Sequence, residues 1–308
     1  MAGGGARAAR RVRRIGVLMP GDGNDPLFRS RVSAFTQALA DLGWTDGRNV
    51  RVDVRWTDAD INQIQALALV GLQPDIIVTA GTPATVAVRR ETPTIPIVFV
   101  GAGDPAAIVA RLDRPSGNVT GFSQSEAAMG GKLLELLSEI APGLKRAAIV
   151  FNPETAPVSA YMPAFETAAR SLKVVQITAP VHSDAEIETA IIAIGREPGG
   201  GLVIMPDVFT NVHRASIISG AARNNVPAVY WSSFFARDGG LLSYGFDQVD
   251  LFRRAATYVD RILRGEKPGD LPVQLPTKFE MVVNRKTATA LGLAVPPSIM
   301  LRADEQIE

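Results

Sequence analysis

Arg13-Arg14-Ile15-Gly16-Val17-Leu18-Met19-Pro20, near the start of the chain, and Lys145-Arg146-Ala147-Ala148-Ile149-Val150-Phe151-Asn152-Pro153, near its middle, share one layout. In each, basic residues lead into a continuous apolar run that ends at a proline, the pattern of a strand buried on both faces of a parallel sheet. After the first run, Val32, Phe35, Leu39 and Leu42 recur at helical spacing, and Gly43 follows where a left-handed cap is needed. The rhythm continues with strand Val50 to Arg55, a helix from Ile61 to Val70, strand Asp75 to Thr79, a helix from Pro83 to Arg90 and strand Ile95 to Val100. Strands alternating with helices predict right-handed βαβ crossovers and a mostly parallel sheet covered on both sides.

The second half echoes the first beyond that opening run. Leu202-Val203-Ile204-Met205 matches Ile76-Ile77-Val78-Thr79, Val226-Pro227-Ala228-Val229-Tyr230-Trp231 matches Ile95-Pro96-Ile97-Val98-Phe99-Val100, and Ser243-Tyr244-Gly245-Phe246 matches Val119-Thr120-Gly121-Phe122. The offsets are all about 130 residues, which predicts two similar lobes rather than a short-period array. Boundaries fall near Gly121 to Glu126 and near Gly245 to Val249. A third segment holds a helix from Val249 to Arg264, with Leu251, Phe252, Ala255, Val259 and Ile262 on one face, then a proline-rich run and a last strand, Phe279 to Asn284. The expected division is a disordered basic tail over 1–13, lobe 1 over 14–122 plus about 247–275, and lobe 2 over 123–246 plus about 276–308.

Composition fits two cores: 308 residues, 46% hydrophobic and 20% charged, is too long for one small domain and too apolar for disorder. The absence of cysteine removes disulfides, thiolate metal sites, thiol nucleophiles and a lipid-modified N-terminal cysteine. The net charge of +1 conceals a basic start: without Arg7, Arg10, Arg11, Arg13 and Arg14 the remaining 27 bases face 31 acids, a balance of −4. That balance argues against nucleic acid as a partner, whose affinity rests on clustered phosphate contacts. Met1 to Arg14 resembles the charged start of an export signal, but the apolar stretch that should follow gives way to a strand.

Catalytic signatures are missing. No phosphate loop is present, and Gly21-Asp22-Gly23 meets Pro26 where a dinucleotide fingerprint has its third glycine. His182 and His213 lack partners at metal spacing and read as solvated surface residues, and neither Ser123 nor Ser232-Ser233 sits in a nucleophile elbow. The expectation is a chain that is not an enzyme and uses no cofactor or metal.

The informative residues lie beyond the carboxyl ends of strands, where open parallel sheets bind ligands. Thr82, Pro83 and Ala84 follow strand Asp75 to Thr79, with Thr82 read as the cap and Pro83 as the first helical residue, a helix start suited to a ligand carboxylate. Asp104 before Pro105 reads first as an N-cap and second as a ligand group. In the second lobe the corresponding positions are Asn152, Asp207 and Trp231, with Asp207 expected to face the Thr82 turn and to pair with the ammonium of an amino acid solute. Phe28, Phe122, Tyr161, Trp231 and Tyr244 could line a cleft between lobes, although core packing is the commoner role for each.

With those residues placed, the chain from Arg14 to Glu308 resembles the ABC-transporter substrate-binding proteins of the uncharacterised type, related to tryptophan/tyrosine-binding transport lipoproteins. The resemblance is carried by Arg14-Ile15-Gly16-Val17-Leu18, Arg114-Pro115-Ser116-Gly117-Asn118-Val119-Thr120-Gly121, Gly240-Leu241-Leu242-Ser243-Tyr244-Gly245, Leu275-Pro276-Thr277-Lys278-Phe279-Glu280, and Ala290-Leu291-Gly292-Leu293 with Arg302-Ala303-Asp304-Glu305. It implies an α/β, type I periplasmic-binding-protein fold of two Rossmann-like lobes joined by three crossovers. It also implies a periplasmic receptor that closes on a small carboxylate-bearing solute, an aromatic amino acid or aromatic acid, and hands it to the membrane permease and ATPase of an importer. A monomer that compacts on binding is expected from such hinged lobes. The rival reading, a ligand-sensing domain of the same fold in a regulator, would need a DNA-reading headpiece, and the thirteen residues before Arg14 do not supply one.

Overall fold

The computed structural model describes residues 11–57 and 62–308. The expectations of a disordered start over residues 1–10 and of a helix beginning at Ile61 lie outside the described residues.

The first lobe is built on β1 (Arg13–Pro20), β2 (Val50–Thr57), β3 (Ile76–Ala80), β4 (Ile97–Ala102) and β5 (Val119–Ser123), hydrogen-bonded in parallel in the order β2-β1-β3-β4-β5. The second contains β6 (Arg146–Phe151), β7 (Val175–Pro180), β8 (Gly200–Ile204), β9 (Ala228–Tyr230) and β10 (Leu242–Phe246) in the equivalent order β7-β6-β8-β9-β10. The sequence repeat is therefore a repeat of topology. Two further strands extend the second sheet: β11 (Phe279–Asn284), antiparallel to β10, and β12 (Glu305–Ile307), parallel to β11. Phe279 to Asn284 is thus not the last strand; β12 is added beside it, and its Glu-Gln-Ile sequence carries no apolar run to announce it. Arg13 belongs to β1 rather than to a tail, because its guanidinium reaches Asp75 at 2.8 Å and its backbone joins the ladder with β2.

Helices cover both faces of each sheet. They are α1 (Pro26–Asp41), α2 (Asn62–Gly71) and α3 (Thr82–Glu91), then α4 (Met129–Ile140), α5 (Val158–Leu172), α6 (Asp184–Gly195), α7 (Val208–Val212), α8 (Arg214–Arg223) and α9 (Ser233–Arg237), and finally α10 (Gln248–Leu263), α11 (Arg285–Ala290) and α12 (Pro297–Arg302). The helix α1 begins where Asp25 accepts from the Leu27 N–H at 2.9 Å with Pro26 in the first turn. Although α10 follows the second lobe's β10, it packs on α1 and β4 of the first, and the Trp44 indole donates to Asp260 at 2.8 Å to fasten the two helices.

The chain passes between lobes three times: after β5 into α4, after β10 into α10, and from the Gln274 bridge on Phe122 back to β11. Gly121 and Gly245 occupy matching places just before the first two passages. A Cβ on Gly121 would lie 2.1 Å from the Phe99 carbonyl oxygen, and one on Gly245 would lie 1.7 Å from that of Trp231. Any side chain there would push the closing strand off its neighbour. Among the described residues no helix is long and apolar enough to cross a membrane.

Candidate functional site

The carboxyl ends of both sheets meet at one seam. There β1, β3 and β4 contribute Pro20, Ala80 with Gly81, and Val100 with Gly101, while α7 and the end of β9 contribute Val208, Asn211 and Trp231. Gln248, Leu251 and Phe252 of α10 complete the wall, together with Gln124 and, from α1, Arg31. The cavity measures about 390 Å³, and the lobes stand nearly shut beside it: a Cβ on Gly81 would lie 3.0 Å from Val208 Cγ2, and Arg214 reaches Asp25 at 2.6 Å.

Its polar chemistry is incomplete from within. Among the described residues, buried atoms without a hydrogen-bond partner include Nε and Nη2 of Arg31, Oδ1 of Asn211 and Nε1 of Trp231, and all three residues line this cavity. Arg31 is 4% exposed, with its guanidinium carbon 5.2 Å from the centre of the Phe28 ring. Burial, and after it the charge of Arg214, pushes the guanidinium down to about 9, while Asp25 pulls the other way. It remains protonated at neutral pH. A buried cation without a partner is costly, so its natural complement is an anion brought in from solution.

Facing this cavity, Gly81 adopts φ +82° and precedes α3 without any side-chain cap. Thr82 is therefore the first residue of the helix rather than its cap, and Pro83 is the second, because only a glycine takes that backbone conformation without strain. Thr82 Oγ1 accepts from the Asp104 N–H at 3.2 Å. Ala84 is buried in the first lobe. Asp104 caps the short 3-10 turn Pro105–Ala107, accepting from Ala107 N. Thr82, Pro83 and Asp104 line a second, wider groove that faces Glu154 to Pro157 of the other lobe.

Asp207, 1% exposed, does not line the inner cavity. Its Oδ1 accepts from Thr155 Oγ1 at 2.5 Å and from Phe209 N at 3.0 Å, and its Oδ2 accepts from Asn152 N at 2.9 Å. Burial pushes its carboxyl above the usual range, against the pull of those three donors. The side chain caps α7 and clips the β6–α5 loop to it, and Asn152 joins the clip by accepting from Glu154 N. It is Val208, the next residue, that meets the first lobe: a Cβ on Gly81 would lie 3.0 Å from its Cγ2.

Of the aromatic candidates only Trp231 lines the cavity. Phe28 supports Arg31, Phe122 packs with Tyr258 at the crossovers, and Tyr244 stacks on Phe279. The buried Tyr161 hydroxyl lacks a partner, and burial, then Asp207, push it upward. His182 and His213 pair with Glu186 and Asp184 respectively, both at the surface.

A clasp spans the lobes beside the cavity. Arg214 at the start of α8 donates Nη1 and Nη2 to the two oxygens of Asp25 at 2.6 and 2.8 Å, and its Nε to Asp238 at 2.7 Å. Burial works to raise the Asp25 carboxyl, but the bonds from Arg214 and Leu27 N prevail and hold it below the usual range.

Sequence reasoning did not single out Arg31, Asn211, Gln124 or Gln248. The signal for Arg31 was present: the buried stripe of α1 is Leu27, Phe28, Arg31, Phe35, Ala38 and Leu39, with a charge where the period calls for an apolar residue. The other three are amides without a motif.

The sequence model of a family described as ABC transporter substrate binding protein matches residues 16–307. A curated relative, the tyrosine-binding protein of Clostridioides difficile (strain R20291), is 26% identical over 273 residues, 87% of this chain and 78% of the relative. Among solved structures, a conserved domain protein from Vibrio cholerae superposes with a TM-score of 0.87 at 27% identity, covering 96% of this chain and all of the other. An ABC domain in complex with L-Trp from Streptococcus pneumonia also gives 0.87, at 24% identity, over 96% of this chain and 99% of the other, and shows the fold.

Proposed function

The chain belongs to the ABC transporter substrate-binding protein family, and on that premise we propose that it is the receptor of an importer for a small carboxylate-bearing solute, an aromatic amino acid or aromatic acid. The observation that carries this reading is the pair of buried Arg31 nitrogens, Nε and Nη2, without a hydrogen-bond partner in the cavity between two nearly shut lobes. An internal ion pair would have made Arg31 structural. Left open, its Nε–Nη2 edge offers the paired donors that fit the two oxygens of one carboxylate.

The rest of the wall suits such a solute. Trp231, Leu251, Phe252, Val100 and Val208 supply apolar surface, and the Trp231 indole N–H and the Asn211 amide supply directional contacts. The tyrosine-binding relative supports an aromatic side chain on the solute. Because the lobes meet beside the cavity, entry requires them to swing apart about the three crossovers before they close on the solute. Membership of this family supports a role outside the cytoplasm, delivering the solute to a permease and ATPase.

The reading is tested by thermal shift and small-angle scattering with L-tyrosine, L-tryptophan, 3-(4-hydroxyphenyl)propanoate and neutral sugars. A carboxylate should raise the melting temperature and shift the population toward the smaller radius of gyration. Stabilisation by sugars alone would refute it.

A further inference from the structure

Gly121-Phe122-Ser123-Gln124 and Gly245-Phe246-Asp247-Gln248 stand at the same place in the two halves of the chain, where the fifth parallel strand of each lobe runs out into a crossover. From this pairing we infer that Gln124 and Gln248 are a matched pair of solute-binding residues that couple the solute to the hinge. The inference rests on the reading of the inner cavity as the solute site, and it extends that reading to how binding is passed to the crossovers.

Neither glutamine belongs to a recognised motif, but the fold uses both in one way. Each is almost fully buried, 8% exposed for Gln124 and 7% for Gln248, and each lines the inner cavity. Each also follows directly on a residue that ties its own crossover to the third. The Ser123 N–H donates to the Gln274 carbonyl at 2.8 Å, and the Asp247 N–H donates to that of Lys278 at 3.0 Å. The same two residues are held by their side chains, Ser123 Oγ accepting from Ser125 N at 2.9 Å and Asp247 Oδ1 from Asp250 N at 3.0 Å. The glutamine side chains therefore leave the backbone at the points where the crossovers are fastened together.

Their amides keep capacity for a solute. Gln124 lies against the turn after β4, where a Cβ on Gly101 would come to 3.3 Å from its Oε1 and one on Gly103 to 3.5 Å from its Nε2. Gln248 donates Nε2 to Ser232 Oγ at 3.3 Å, and its Oε1 remains as an acceptor. When the lobes swing about the crossovers, these amides move with the hinge, so their bonds to a solute form fully in the shut state alone. A contact made in one state only shifts the equilibrium toward that state. Its loss should speed release of the solute and leave entry unchanged.

The test uses whichever of L-tyrosine, L-tryptophan, 3-(4-hydroxyphenyl)propanoate and the neutral sugars binds the purified chain most tightly. Gln124→Met and Gln248→Met keep the length of the side chain and remove the amide. In stopped-flow measurements each should speed release about fivefold to tenfold, the order expected for one lost hydrogen bond, with the entry rate within about twofold of wild type. Hydrogen exchange adds a readout that mere loss of packing does not move: saturating solute should slow exchange over residues 121–126 and 245–249 in wild type, and much of that protection should vanish in either variant. Ser232→Ala removes the tether of Gln248 but keeps its amide, and should cost less than Gln248→Met. Wild-type release rates in either methionine variant, solute-induced protection that survives in both, or a Ser232→Ala loss as large as that of Gln248→Met overturns the inference. A sugar as the tightest solute would overturn the carboxylate reading while the same rates and exchange still judge the glutamines, and a panel in which nothing binds overturns both.

Discussion

Arg31 in the first lobe and Asp207 in the second are both charged and both almost fully buried, and the molecule treats them in opposite ways. Asp207 receives three hydrogen bonds, two of them from the Asn152–Thr155 loop more than fifty residues upstream. Arg31 has two nitrogens with none. A buried charge that the fold satisfies is part of the architecture, whereas one that the fold leaves unsatisfied keeps its cost until something arrives to remove it. The difference supports the proposal that Asp207 serves stability and Arg31 the solute, although position at a strand end made Asp207 the more attractive of the two.

The comparison is broken most directly at Asp207. Asp207→Ala strands the Asn152 and Phe209 N–H groups and the Thr155 hydroxyl in a buried junction, and should cost about 3 kcal/mol or more of folding stability in urea unfolding. Asp207→Asn keeps an acceptor for part of the set and should cost less. If Asp207→Ala keeps its stability and loses solute affinity instead, the assignment of roles is reversed.

Arg31→Met should do the contrary. Replacing the unpaired cation by a flexible apolar side chain should raise the stability of the solute-free protein by roughly 2 kcal/mol, within the range for exchanging buried ionic groups for apolar ones. Carboxylate affinity should fall by about a hundredfold, the order expected for a lost charged hydrogen-bond pair. The pH dependence has a definite sign. Because the folded guanidinium is pushed down to about 9 from 12.5, its penalty is full below about 9 and shrinks as pH rises from there toward 12.5. Wild type should therefore hold a constant deficit against Arg31→Met up to about pH 9 and gain on it only above that, as read from unfolding midpoints.

These two residues also mark how far the sequence can be read. The strands were legible because Ile15 to Met19 and Leu202 to Met205 are apolar runs that only a two-sided parallel sheet can bury, and Phe279 to Asn284 is found where the alternation places it. The short β12, α7 and α9 were not, since three to five residues carry no period. At the site, the turns after β3 and β8 were legible from strand ends, but what their side chains meet depends on contacts across the chain. The stripe Val32, Phe35, Leu39 and Leu42 is rotated from the face that α1 buries, and only a stripe started at Leu27 and Phe28 carries Arg31 onto it.

A smaller effect separates folding from closure. Gly81→Ala puts a Cβ at φ +82°, a strain of about 1–2 kcal/mol, and also brings that carbon to 3.0 Å from Val208 Cγ2 across the seam. The first cost falls on the lobe whether open or shut, the second on the shut form alone. Gly81→Ala should thus lose several-fold in affinity beyond its loss of stability, and adding Val208→Ala should restore affinity without restoring stability. Equal recovery of both would place Val208 in the lobe's own packing rather than at the closing surface.

The smallest effect is expected at the clasp. Asp25→Asn keeps a good cap for α1, so the helix start is preserved, but removes the charge that Arg214 grips across the lobes. Each side chain is partly exposed, 18% for Asp25 and 15% for Arg214, so solvent screening limits the gain and about 0.5–1 kcal/mol of closure should be lost. That is roughly a two- to fivefold weakening of solute binding, shrinking further as salt is raised. The sign with pH follows from the depressed carboxyl: with the shut-form value below 3.8, the clasp is intact above that pH and is lost as pH falls through the depressed value. Wild-type affinity should therefore converge on that of Asp25→Asn only in that acid range, and convergence already near pH 6 would show that another group, not Asp25, holds the lobes together.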